Sequence, residues 1–179
     1  MNRAVFLDRD GVINELTRDY VKDWGEFRFL PNSLKALKRL AKSDYKIIVI
    51  TNQSAVGRGR ITREKLENIH FRMLVHVEEA GGRIDGIYVC MHLPSEGCGC
   101  RKPKTGLLKL ASASFDIDLK RSWFVGDNTM DVKTGDNAGC KTILVETGYG
   151  GEDGLYDIKP DYKVGDILGA VGLILAKRA

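Results

Sequence analysis

Short β-branched apolar runs alternate along this chain with longer stretches in which apolar residues recur every three or four positions. The runs Arg3 to Leu7, Lys46 to Thr51, Gly86 to Cys90, Ser122 to Val125 and Thr142 to Val145 are apolar almost throughout. That is the pattern of parallel strands covered on both faces. Asn32 to Lys42 places Leu34, Leu37, Leu40 and Ala41 on one helical face, with Asn32 or Ser33 as cap. Thr62 to Ala80 does the same with Leu66, Ile69, Met73 and Val77, and Gly81-Gly82 ends it. Thr105 to Ser114 and Met130 to Ala138 read as further helices, the second stopped by Gly139. A last helix is predicted over about Val164 to Lys177, with Ile167, Leu168, Val171, Ile174 and Leu175 on one face.

Strands alternating with helices predict right-handed βαβ crossovers. The fold class is therefore α/β, a doubly wound, mainly parallel sheet with helices on both faces. No repeat, low-complexity tract or linker interrupts the 179 residues, which suit one domain over 1–179. In such sheets ligands sit beyond the carboxyl ends of the strands. The residues that follow each apolar run directly are thus the candidates for chemistry.

Asp8-Arg9-Asp10-Gly11 follows the first run. Two carboxylates two residues apart on a turn call for a cation, and Mg²⁺ prefers such hard oxygen ligands. Taken alone, the tetrapeptide reads equally as an ordinary Asp-rich turn. Gly126-Asp127-Asn128-Thr129-Met130-Asp131 follows the fourth run in the same way. If those two strands are neighbours, Asp8, Asp10 and Asp127 converge. Thr51-Asn52 ends the second run with a hydroxyl and a backbone N–H suited to phosphate, and Lys102 supplies a positive charge.

Cys90, His92, Cys98 and Cys100 place three thiols and an imidazole within eleven residues. Zinc takes four such ligands in a closed structural site, and the loop between them has little core of its own. The expected role is structural: the metal fixes the loop and with it Arg101 and Lys102. Cys140 stands apart and reads as a buried small residue.

Composition narrows the class. Apolar residues make up 43% and charged residues 29%, enough to bury a core and remain soluble. The net charge of +4 is mild and its cations are scattered, which fits a phosphorylated metabolite and shows no nucleic-acid stripe. No run approaches the ~20 apolar residues of a membrane span. Met1 to Leu7 is too short for a signal core. The chain reads as cytoplasmic, without membrane or nucleic-acid partners, and as a monomer.

Asp8-x-Asp10-Gly11, then Thr51, then Lys102, then Gly126-Asp127-x-x-x-Asp131 resemble, in order and placement, the four motifs of the haloacid dehalogenase superfamily. The resemblance implies a Mg²⁺-dependent phosphatase. In it Asp8 is the nucleophile and Asp10 the acid and base. Mg²⁺ is held by Asp8, the Asp10 backbone carbonyl and Asp127. Thr51, Asn52 and Lys102 hold the phosphoryl oxygens, and Asp131 orients Lys102 or a metal-bound water.

The zinc loop narrows the resemblance to the D-glycero-D-manno-heptose 1,7-bisphosphate phosphatases, with histidinol-phosphate phosphatases as near relatives. Phe6 to Asn14 and Thr51 to Gly59 look like the heptose group, and Gln53 and Ser54 fall in the second of these stretches as substrate contacts. Cys100-Arg101-Lys102-Pro103 occurs in both groups, and Arg101 is the candidate for substrate recognition. His92-Leu93-Pro94 looks like the histidinol-phosphate enzymes. Asn128 stands where the heptose group often has a lysine for phosphate. Too little chain separates the motifs for a cap domain, so the expected substrate is a small phosphorylated sugar or similar metabolite. The alternatives are the same chemistry on histidinol phosphate, a polynucleotide 3′-phosphatase, and a non-catalytic zinc-loop protein that binds nucleic acid or acts as a scaffold.

Overall fold

The computed structural model describes residues 1–177; the last two residues of the 1–179 span lie outside the described residues. Six parallel strands form one sheet: β1 (Ala4–Leu7), β2 (Lys46–Asn52), β3 (Gly86–Cys90), β4 (Trp123–Gly126), β5 (Lys141–Val145) and β6 (Tyr162–Val164). Their order is β3-β2-β1-β4-β5-β6. The helices are α1 (Ser33–Leu40), α2 (Ser54–Gly57), α3 (Arg63–Glu79), α4 (Gly106–Phe115), α5 (Thr129–Ala138) and α6 (Ile167–Ala176). The expected α/β architecture is present.

Side-chain alternation divides the core in two. Val5, Leu7, Ile47, Val49 and Val125 pack against α1, α3 and α6. Ala4, Phe6, Ile48, Ile50 and Phe124 point the other way and pack against α4. Burial on both faces is why these strands read as continuous apolar runs rather than alternating ones. No second sheet or helical subdomain stands between β1 and α1 or between β2 and β3 among the described residues.

Strand order reverses at β1. The chain runs outward from it through β2 and β3, then returns to place β4 on its other side. Leu7 pairs with Val125 and with Val49, and the Asp8 amide donates to the Val125 carbonyl at 3.0 Å. The residues after β1, β2 and β4 therefore emerge together at the switch point, where such sheets bind ligands.

Two expectations need correction. The last helix begins at Ile167, and Val164 belongs to the edge strand β6. Asp166 separates the two: its backbone is extended and its carboxylate caps the helix by accepting from the Gly169 amide. Asn32, one of the two expected residues, does occupy the cap position of α1, but without the side-chain bond expected of a cap: its amide donates to Asp166 instead. A three-residue edge strand carries too little periodicity to be legible in advance.

Candidate active site

Asp8 leaves β1 and is buried, as are Asp127 after β4 and Asp131 in the first turn of α5. One carboxylate oxygen from each lies within 4.8 Å of the others. Lys102 Nζ lies 2.9 Å from Asp8 and 2.6 Å from Asp131. Three buried carboxylates and one ammonium leave two negative charges uncompensated, which is the charge of one divalent cation. Ionisation shows the same imbalance. Burial, then the Asp131 charge, pushes the Asp8 carboxyl up to about 7. Burial, then Asp8, pushes Asp127 up to about 7 as well. Burial alone would lower Lys102, but the Asp131 and Asp8 charges outweigh it and hold its pKa above the ordinary lysine value.

Backbone glycines make the convergence possible. A Cβ on Gly11 would lie 2.2 Å from Asp127 Oδ2, and one on Gly148 would lie 2.0 Å from the same atom. Both residues have positive φ. The Asp127 carboxylate accepts from the Tyr149 amide at 2.8 Å and the Asn128 amide at 2.9 Å. Asn128 also caps α5, its Oδ1 accepting from the Asp131 amide at 2.9 Å. Both ends of this side chain are thus engaged in building the site.

The Asp10 carboxylate is not part of that triplet. It accepts from Arg9 Nη2 at 2.8 and 3.0 Å, from Asn14 at 2.9 Å and from Gln53 at 2.7 Å. Burial would raise its pKa, but the Arg9 charge and these hydrogen bonds outweigh it and hold it below the ordinary carboxylate range. Thr51 is buried, and its hydroxyl accepts from Gln53 at 2.9 Å. Asn52 clasps the backbone on both sides of Lys102, accepting from its N–H at 3.1 Å and donating to its carbonyl at 3.4 Å. Arg101 donates to the His92 carbonyl at 3.3 Å, which ties it to the cysteine loop.

These groups open into a cleft of about 450 Å³. Asp8, Asp10, Lys102 and Asp127 form its floor, and Gln53, Ser54 and Asn128 line it with Asn52. Arg18, Arg58 and Arg101 also line it. The acidic Asp153 faces the same space, but its oxygens accept from the Thr129 amide and hydroxyl at 2.7 Å.

The second cluster lies in the loop after β3. Cys90 and Cys98 sulfurs are 3.7 Å apart, and Cys98 and Cys100 are 3.5 Å apart. His92 Nδ1 is 3.2 Å from Cys100 and 3.6 Å from Cys90. A tetrahedral zinc with ~2.3 Å bonds to sulfur sets sulfur–sulfur edges of about 3.8 Å. The donor set and its spacing fit that ion. Burial, first among several causes, pushes the Cys90 thiol up to about 12. Burial also works against ionisation of Cys98, but backbone N–H groups and neighbouring thiols outweigh it and bring that thiol down to about 7.

The chain is 40% identical to the D-glycero-beta-D-manno-heptose-1,7-bisphosphate 7-phosphatase of Pseudomonas aeruginosa, over 84% of this chain and 85% of that protein. Identity to the protein of that name from Helicobacter pylori J99 is also 40%, covering 82% and 84%. The chain belongs to this phosphatase family. A HAD-hydrolase-like family model matches residues 99–170. The crystal structure of D,D-heptose 1,7-bisphosphate phosphatase from B. bronchiseptica, complexed with magnesium and phosphate, superposes with a TM-score of 0.90 at 34% identity, covering 98% of this chain and 99% of that one. As a member of the family, the protein is a phosphoric monoester hydrolase.

Arg9, Asn14 and Tyr149 were not foreseen as parts of the site. Arg9 is the largest of the fully buried side chains. A charged residue between two aspartates reads as solvated, and nothing local in the sequence marks its burial. The only available signal was its place inside the run Phe6 to Asn14.

Proposed function

We propose that this phosphatase hydrolyses the C7 phosphate of D-glycero-D-manno-heptose 1,7-bisphosphate. The observation that carries the reading is the cleft itself: a nucleophile-bearing carboxylate cluster at its floor, with Arg18, Arg58 and Arg101 lining it. A bisphosphate offers one anionic group to the floor and a second to the arginines. Histidinol phosphate carries an ammonium, which three guanidinium groups repel, and the Asp153 carboxylate that lines the same cleft is already engaged by Thr129.

Asp8 attacks phosphorus in line, forming an aspartyl phosphate as the bond to the sugar oxygen breaks. Asp10 is ionised at rest. The arriving phosphate dianion raises its proton affinity, so it takes up a proton with substrate and passes it to the departing alkoxide. Its carboxylate then removes a proton from water, and the hydroxide attacks phosphorus. Asp8 is regenerated and phosphate leaves. Lys102 and the Thr51-Asn52 backbone hold the phosphoryl oxygens. Asp8, the Asp10 carbonyl and Asp127 would hold Mg²⁺, which would supply the missing positive charge and favour the ionised form of Asp8. Asp131 aims Lys102. Cys90, His92, Cys98 and Cys100 would hold zinc in a structural role, fixing the loop that carries Arg101.

Side-by-side turnover on the heptose bisphosphate and histidinol phosphate, with magnesium supplied and withheld, tests the reading. Faster release from histidinol phosphate overturns the substrate; release independent of magnesium overturns the chemistry.

A further inference from the structure

A buried histidine on α3 stands behind the acid–base residue. His70 is 8% exposed and belongs to no motif of the site. Its Nε2 lies 3.1 Å from Arg9 Nη1. A guanidinium has only donors, so Nε2 is the acceptor, which makes His70 the neutral tautomer with its proton on Nδ1. Burial, and then the Arg9 charge, pushes its pKa down to about 3, in agreement. Arg9 Nη2 forks onto both oxygens of Asp10 at 2.8 and 3.0 Å. Arg9 Nε has no partner among the described residues. The fully buried guanidinium is therefore oriented from two sides only: the imidazole holds one terminal nitrogen, and the Asp10 carboxylate holds the other.

We propose that His70 is a positioning residue for Asp10, acting through Arg9. A guanidinium held at both terminal nitrogens is kept from turning, and this keeps Nη2 centred on the two oxygens of the carboxylate it grips. Without an acceptor on α3, Nη1 is left buried and unpaired, and the guanidinium rotates to find another partner. The Asp10 carboxylate turns with it, away from the leaving oxygen. Asn14 holds Oδ1 and Gln53 holds Oδ2, but neither brings a charge; Arg9 alone bridges both oxygens. His70 is apolar-stripe material by position, between Leu66, Ile69, Met73 and Val77. A leucine there would pack on the same face, so the imidazole is not required for filling the core.

This inference rests on the acid–base role proposed for Asp10, and the leaving group separates the two. An alkyl phosphate needs a proton delivered to its leaving oxygen, whereas p-nitrophenyl phosphate expels a stable phenolate without one. His70→Leu is expected to slow single-turnover release of the alcohol from an alkyl phosphate roughly 10–100-fold, with KM unchanged and the single-turnover burst of p-nitrophenolate little affected. His70→Gln, whose amide oxygen reaches the place of Nε2, should restore most of the lost rate. His70→Asn, whose oxygen stops at the place of Nδ1, should not, and this pair decides the matter if the leucine variant fails to fold. Asp10→Asn on the same two substrates is the control. If it shows the alkyl-selective loss and the His70 variants do not, the positioning role is overturned. If in a single turnover it slows release of the alcohol and of p-nitrophenolate equally, the acid–base reading falls and this inference falls with it.

Discussion

The carboxylate cluster and the cysteine cluster both offer donor sets that fit a metal ion, but they are held in opposite ways. Asp8 and Asp127 are pinned to adjacent strand ends, with Asp131 on the helix that follows, and all are buried in the core. Their geometry exists because the sheet exists, and the cost of crowding them is charge. Cys98 and Cys100 lie on a loop between β3 and α4, half exposed, with Gly97 and Gly99 on either side of Cys98. Little apolar packing holds that loop, so its geometry depends on what its ligands bind. One site is a frame whose crowded charges favour a cation; the other is a loop whose donors would gain a fixed arrangement from one. The first can leave coordination positions for substrate, and the second uses all four donors for structure.

Substitutions and ion removal press on that contrast. Asp8→Asn should reduce phosphate release roughly 10⁴-fold or more while the protein stays folded, since one of the crowded charges is gone. A folded variant with near-normal release would end the nucleophile assignment. Asp10→Asn should cost about 10²–10⁴-fold on the sugar substrate, read as kcat. Removing zinc, or replacing Cys98 with Ser, should lower the melting temperature by about 5 °C or more and raise KM through Arg101. Verified zinc loss with unchanged melting and KM would show that the loop holds itself.

The magnesium response should depend on pH, with a determined sign. Asp8 and Asp127 sit at about 7 in the metal-free fold, well above an unfolded aspartate. The folded state then holds more protons than the unfolded one between about pH 4 and 7, so metal-free stability falls as pH rises through that window. Magnesium should therefore raise the melting temperature more at pH 8 than at pH 5, and equal shifts at both would contradict the crowded-charge account. The smallest effect expected is that of Asn128→Ala. Loss of the α5 cap should cost about 1 kcal/mol, or about 2–4 °C in melting temperature.

Much of this was legible beforehand. Apolar runs and helical stripes located five of the six strands and five of the six helices, because burial on both sheet faces leaves a dense local signal. The acidic and cysteine motifs were visible because their chemistry is concentrated in a few adjacent residues. β6 and α2 escaped because three or four residues carry no period. Arg9 escaped for a different reason: whether a charge is solvated or buried depends on what folds over it.

The order of elements, the ligand types and the strand-end position of each acidic motif are properties of the chain read one residue after another. The meeting of Asp8 with Asp127, Lys102 and Asp131 is not, because those residues are separated by most of the chain, and only the reversal of strand order at β1 brings them together. The same holds for His70, which is an unremarkable helix residue until α3 packs over Arg9. Local pattern specifies what each segment becomes; long-range packing alone decides which distant charges must share one small, dry space.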